Sequence, residues 1–176
     1  MMTAADTHDL GEGLLAGSAP RRWRHSLGVA ATARSLAPMV GEQLDVLEAA
    51  ALLHDIGYAP ELVLTGFHAI DGAVYLRDVI GADPVIVGLV AHHSCAEVEA
   101  EERNLLDSMR EFEADGGLLD ALTYCDMTTS PDGARVGIDA RVAEIESRYA
   151  ADDVVARAIR RAKPALHACC ERWRVG

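Results

Sequence analysis

Apolar residues recur along this chain at spacings of three and four, the mark of helices that bury one face. Trp23, Leu27, Ala30 and Ala31 fall at i, i+4, i+7 and i+8 and predict a core stripe on a helix from about residue 18 to 36. Ser18 suits its N-cap and Pro20 its first turn, and Pro38 stops it. A second face of that helix, His25, Gly28, Val29 and Thr32, is small enough for another helix to approach closely. Asp45 and Glu48 have capping-box spacing ahead of an apolar helix over about 46–56, with Gly57 suited to close it at C′. The next helix runs from Gly66 to about Val79, with Ala69, Gly72, Ala73 and Leu76 as its small face and Gly81 as its breaker. Asp83-Pro84 opens another, striped by Val85, Ile86, Leu89 and Val90 and ending in His92-His93. Glu97, Glu99, Glu101 and Glu102 read as solvated helix surface. Leu119, Leu122, Thr123 and Asp126 share one face of a helix over 118–128, between turns at 115–117 and 130–133. Ile138, Val142, Ile145 and Tyr149 mark an amphipathic helix, and a last helix from about Asp153 should kink or split at Pro164. Residues 1–17 end in Leu14-Leu15 and read either as a loose arm or as a short docking helix.

No segment alternates apolar and polar residues over the length of a strand, and no repeat or low-complexity block interrupts the pattern. The expectation is an all-α, single-domain helical bundle: an N-terminal arm at 1–17, a helical core at 18–130, and C-terminal helices at 131–176 packing on that core. A length of 176 residues, half of them hydrophobic, suits one domain with a real core. Charge narrows the partners. Lys and Arg number 16 against 28 Asp and Glu, a net −12 that counts against a nucleic-acid polymer as partner. A small phosphorylated substrate stays open, because a bound cation can reverse the local field. Cys95, Cys125, Cys169 and Cys170 form no C-x-x-C pair and read as small buried hydrophobes. Without a secretory leader or an apolar run of spanning length, a cytoplasmic chain with no membrane partner is expected.

Against this background four polar residues stand on apolar helix faces: His25, the His54-Asp55 doublet, and Asp126. Burying such groups without partners is unfavourable. A metal ion would justify it, since imidazole and carboxylate together suit divalent first-row cations. For the doublet alone, a structural pair in which Asp55 orients His54 is an equal alternative. His68 falls at a helix start, and His92 and His93 follow an apolar stripe.

The order His25, then His54-Asp55, then Asp126, on three separate helices, resembles the HD superfamily of metal-dependent phosphohydrolases. The string His54-Asp55-Ile56-Gly57 is similar to its common His-Asp-Ile-Gly form, and the likeness covers roughly Arg21 to Asp126. What it implies is a helical core holding a divalent ion (Mn, Fe, Mg, Co or Zn) through His25, His54, Asp55 and Asp126. Branches with added histidines hold two ions. Phe67-His68-Ala69 and Leu89-Val90-Ala91-His92-His93 look like those additions, making His68 and either His92 or His93 ligands of a second ion bridged by Asp55. His54 and Asp55 would form the catalytic centre, with metal-activated water attacking a nucleotide or related phosphate ester. Arg21, Arg22, Arg24 and Arg77 are candidate phosphate clamps, and Tyr58, Phe67 and segment 97–109 candidate pocket walls. Ser94-Cys95-Ala96-Glu97 stands where the cyclic-di-GMP branch carries Gly-Tyr-Pro, so that activity is not expected. The pattern is closer to small stand-alone bacterial members, including those that cleave dinucleoside polyphosphates. An HD-fold di-iron oxygenase and a non-catalytic HD-type signalling domain are the alternatives.

Overall fold

The computed structural model describes residues 4–174. Its helices are α1 (Ala4–Leu15), α2 (Pro20–Ser35), α3 (Ala37–Val40), α4 (Leu44–Leu53), α5 (His68–Tyr75), α6 (Pro84–His92), α7 (Ala96–Glu102), α8 (Leu106–Met109), α9 (Gly116–Met127), α10 (Ile138–Arg148) and α11 (Val154–Arg172). Among the described residues no strand forms, and the one pairing of that kind is an isolated bridge between Thr129 and Arg135. The fold is an all-α helical bundle. Among the described residues, no helix is long and apolar enough to cross a membrane.

The bundle is arranged around α4. Its sequence, Leu-Asp-Val-Leu-Glu-Ala-Ala-Ala-Leu-Leu, is apolar on most sides, and a helix of that kind is stable only when surrounded. Helices α1, α2, α6 and α9 pack around it. Leu47, Ala50, Ala51 and Leu53 are fully buried, so the end of α4 delivers His54 into the protein interior. Of the two readings of the N-terminal segment, the docking helix is the one formed, with residues 1–3 outside the described part. Leu15 of α1 is buried, and Gly11 lies so close to Trp23 that an added Cβ would sit 2.8 Å from its ring. Helices α10 and α11 pack on each other and on α9.

Several local expectations are corrected. The buried face of α2 is Trp23, His25, Ser26, Val29, Ala30, Thr32 and Ala33, while Leu27 and Ala31 are exposed. In a helix this rich in small residues, either phase can pack, and the polar contacts of His25 fix the rotation. Ser18 bonds back to Leu14 O and does not cap α2, whose N-cap is Ala19. No capping box forms at α4. Gln43 is its N-cap, Asp45 lies in its first turn, and Glu48 pairs with Arg34. Pro164 neither splits nor ends α11, which continues to Arg172. Pro164 is exposed, and the buried row Ala158, Ala162, Leu166 and Cys169 runs on either side of it. The glutamates of 97–102 are only partly solvated, because Glu101 and Glu102 pair with Arg157 and Arg161 of α11.

Gly57 is not a C′ glycine either. It lies within a 3-10 turn, Ile56–Tyr58, and its φ is not positive. What requires glycine is close approach: an added Cβ would sit 2.0 Å from His68 O and 2.7 Å from Gly72 N. Gly57 therefore lets α5 lie directly on the turn that follows His54-Asp55. Gly57→Ala should cost about 1–3 kcal/mol in urea unfolding, the scale of overpacking a tight contact. Gly13→Ala, where nothing lies within 4 Å, should instead gain about 0.5–1 kcal/mol from helix propensity. Equal stability of the two variants would overturn the close-approach reading.

Candidate metal centre

Three helix ends and two helix faces converge on a single buried cluster. His54 and Asp55 follow α4, His68 opens α5, His93 follows α6, and Asp126 belongs to the buried face of α9 opposite His25 of α2. The ligand atoms of His25, His54 and Asp126 lie within 4.8 Å of one another, as do those of His54, Asp55 and His93. Asp55 presents Oδ2 to His54 Nε2 at 3.6 Å and Oδ1 to His68 Nε2 at 3.6 Å, so its carboxylate stands between the two sides of the cluster. His68 Nε2 is 3.3 Å from His93 Nε2.

Backbone carbonyls set the tautomers. Nδ1 of His25 meets Ser130 O at 3.0 Å, Nδ1 of His54 meets Ala51 O at 2.8 Å, and Nδ1 of His93 meets Val90 O at 2.7 Å. A carbonyl only accepts, so each Nδ1 carries the proton. The three Nε2 atoms point into the cluster, the arrangement by which ligating histidines are oriented. His54 is 0% exposed, and its Nε2 is a buried lone pair with no hydrogen-bond partner. An unpaired buried acceptor is unfavourable. His25 Nε2 faces Asp126 Oδ1 at 2.9 Å, two acceptors unless a proton or a cation lies between them. Imidazole lone pairs and hard oxygens around one buried orphan atom fit a divalent cation.

The surroundings favour the same protonation states. Burial, partly offset by the Asp55 and Asp126 charges, lowers His54 to about 4, and burial likewise lowers His68 well below its usual value. Both imidazoles are therefore neutral at pH 7. Burial by itself raises Asp55, but His54, the Arg22 guanidinium and His68 outweigh it and hold the carboxyl well below the usual range. Arg22 is the permanent charge among these, with Nη1 3.1 Å from Asp55 Oδ2. Asp126 is also held low, against burial, chiefly by the facing His25 ring. Ser94 Oγ and Arg141 Nη2, the latter at 3.5 Å, complete its surroundings.

The remaining candidates lie elsewhere. Both ring nitrogens of His92 meet acceptors, Glu97 Oε1 at 2.6 Å and Phe112 O at 2.9 Å, and the Glu97 hydrogen bond raises its pKa. A ring that donates twice has no lone pair for a metal. The backbone separates the two histidines: α6 ends at His92, His93 is extended at ψ 147°, and Ser94 and Cys95 follow at φ 53° and 60°. Such non-glycine positions cost on the order of 1–3 kcal/mol each and persist only where their surroundings enforce them. Here Ser94 N donates to Thr123 Oγ1 and Ser94 Oγ to Asp126. Arg77 pairs with Asp78 and Glu111 on the surface, and Arg24 and Arg21 pair with Asp132.

A cavity of about 680 Å³ opens onto the cluster. Arg22, Asp55, His68 and His93 line one end. Tyr58 is at its wall, stacked on His68 with centroids 4.1 Å apart and with Arg22 over its ring at 3.8 Å. Phe67 and Glu99 also line it, but most of segment 97–109 does not. Ile145 and Tyr149, together with Val155, Ala158, Ile159 and Ala162 of α11, form an apolar wall that sequence reasoning did not foresee. Arg141 was missed as well, although its place three residues after Ile138 and four before Ile145 put it on the buried stripe of α10. The cysteines are free, and burial pushes Cys95 and Cys170 up to about 11, so these thiols stay protonated.

This is an all-α bundle whose buried histidines and aspartates can hold a metal. Residues 22–152 match the HD domain family, to which the chain belongs. Ribonuclease Y of Chloroflexus aurantiacus is 34% identical over 83 residues, 47% of this chain and 16% of that protein. Ribonuclease Y of Rubrobacter xylanophilus is 33% identical over 78 residues, 44% of this chain and 15% of that protein. For Ribonuclease Y of Opitutus terrae the identity is 41% over 69 residues, covering 39% and 13%. The chain thus spans no more than 16% of the length of these three relatives. No solved structure gives a significant match.

A pH dependence follows from the neutral histidines. Between pH 6.5 and about 4 the unfolded chain takes up protons that folded His54 refuses, and His68 acts in the same direction. Stability then falls as pH falls, by up to about 1.4 kcal/mol per pH unit for each such histidine. His92, with its raised pKa, acts above that window, and Asp55 and Asp126, with lowered ones, act below pH 3.8. Urea unfolding of chelator-treated protein from pH 7 to 4.5 should show this loss. A flat profile would mean that His54 and His68 are not held neutral.

Proposed function

We propose that this HD-domain chain is a metal-dependent phosphohydrolase of a nucleotide or related small phosphate ester. The observation that carries the reading is the bare Nε2 of His54, fully buried, with its Nδ1 proton committed to Ala51 O, among carboxylates that stay ionised. In this reading His25, His54, Asp55 and Asp126 hold one ion, and Asp55, His68 and His93 hold a second. A divalent cation in such a site supplies Lewis acidity toward phosphoryl oxygens and lowers the pKa of water.

The chain's own residues supply the rest. Asp55, ionised at neutral pH, accepts the hydrogen bond that orients an attacking water. Arg22 adds permanent positive charge at the cavity end where phosphoryl oxygens gain charge in the transition state. As the P–O ester bond breaks, the leaving oxygen takes a proton from solvent. Tyr58, Phe67 and the α10–α11 wall offer an apolar and aromatic surface for the organic part of the ester. The relatives are named as ribonucleases, which points to RNA. The net charge of −12 favours a small molecule over a polymer here.

Metal analysis with an anaerobic phosphate-release screen on the purified chain tests this reading. Two equivalents of divalent metal and turnover without O₂ are expected. Strict O₂ dependence would move the chain to the oxygenase reading, and a metal-free protein in saturating metal to the non-catalytic one. His54→Ala and Asp126→Ala should lose activity by more than about a hundredfold, beyond the effect of a residue that merely supports a ligand. His68→Ala should retain one equivalent of metal and His92→Ala two. Loss of metal in His92→Ala alone would reverse the assignment of the two adjacent histidines.

A further inference from the structure

A second, smaller cavity of about 280 Å³ lies beside the cluster on the side of His25. Its lining is Arg21, Arg22, His25, Pro131, Arg141 and Arg148, four arginines without a carboxylate. In a chain of net charge −12, such a lining is not the by-product of composition. The carboxylates that hold these arginines are not part of this lining: Asp132 for Arg21, Asp55 for Arg22, Asp126 and Glu144 for Arg141, and Glu144 for Arg148. Each pairing anchors a guanidinium while leaving it other N–H groups, since the group has five. Arg141 gives the clearest sign. It is 4% exposed, and its Nε is buried with no hydrogen-bond partner. A buried N–H donor without an acceptor is unfavourable, and Arg141 is among the residues that line this cavity.

The two cavities share Arg22, Arg141 and Arg148. An anion in the smaller one is therefore a neighbour of whatever occupies the His/Asp cluster. We propose that the arginine-lined cavity is a second anion subsite, which holds a phosphate group next to the one at the cluster. The preferred substrate then carries at least two linked phosphates, with Arg21, Arg141 and Arg148 recognising the group that is not attacked. This rests on the phosphohydrolase reading for the identity of the neighbouring site, but the subsite itself is defined by anion binding. A planar guanidinium recognises phosphate through paired N–H···O contacts, which makes oligophosphate the fitting chemistry.

Calorimetric titration of the purified chain in saturating divalent metal, with inorganic phosphate and with inorganic pyrophosphate, tests the proposal. Wild type should bind pyrophosphate at least about tenfold more tightly than phosphate, the worth of one charge-assisted hydrogen bond. Arg21→Gln, at a largely exposed position outside the larger cavity, should remove most of that advantage and leave phosphate binding unchanged, while Arg148→Gln, which lines both cavities, should remove it with at most a smaller loss of phosphate binding. Arg141→Gln, checked for native circular dichroism, should also remove the advantage, with some loss of phosphate binding because it unpairs Asp126 as well. An advantage preserved in all three variants, or absent from wild type, would overturn the subsite. Equal loss of both ligands in Arg148→Gln would also overturn it, because a single site or a free-phosphate effector site would then explain the cavity. If the variants lose the advantage while wild type releases phosphate from no ester, the anion subsite stands and the hydrolase reading falls.

Discussion

The structure depends on keeping two carboxylates, Asp55 and Asp126, ionised in the interior. Such burial is tolerable only when each charge is paired and hydrogen-bonded. Arg22 is brought to Asp55 and Arg141 to Asp126, so two buried anions meet two permanent cations. His54 and His68 add no charge of their own, because burial holds both neutral. This balance has a consequence for the proposed chemistry. A near-neutral cluster becomes strongly positive when it takes up divalent cations, and a phosphate dianion is the natural counterpart. The same cluster without ions has no excess charge with which to attract one.

Orientation is as costly as charge, and the backbone supplies it. Three carbonyls, those of Ala51, Val90 and Ser130, fix the rings of His54, His93 and His25. Gly57 lets α5 descend onto the turn after Asp55, which brings His68 to within 3.6 Å of that carboxylate. Asp71, 1% exposed, accepts from Thr65 N, Thr65 Oγ1 and Gly66 N, and so ties the loop ahead of His68 to the helix that follows. The left-handed pair Ser94-Cys95 turns the chain so that His93 and not His92 enters the cluster. Each device is local, and each sets the direction of an imidazole of the cluster.

How much of this was legible in the sequence follows the same division. The helices were legible because apolar spacing reports burial directly. His25, His54, Asp55 and Asp126 stood out because polar residues on apolar faces need a partner. The choice between His92 and His93 was not legible: it depends on a backbone break whose residues, Ser94 and Cys95, carry no left-handed signature. Nor was the fate of the arginines. Arg21 and Arg24 meet Asp132, and Arg77 meets Glu111, partners remote in sequence that only folding brings close. The role of Gly57 was misread for a related reason. A glycine after a helix suggests a C′ cap, and only the packed structure distinguishes that from a backbone approached by another helix.

The C-terminal helix separates what this chain shares with its family from what is its own. The HD domain match ends at residue 152, and α11 begins at Val154. Val155, Ala158, Ile159 and Ala162 of that helix nonetheless wall the larger cavity. The cluster of histidines and aspartates therefore lies within the shared domain, while part of the surface that would meet the organic portion of a substrate lies outside it. A site's chemistry and its specificity can be inherited separately, because a fold hosts functions through the residues placed on it. Similarity over 39–47% of this chain to Ribonuclease Y bears on the first and is silent on the second. The small alanines of α11 leave room beside the cluster that larger side chains at the same positions would fill. In the proposed reading, substrate choice turns on α2 and α10, which supply the four arginines, and on α10 and α11, which supply the apolar wall.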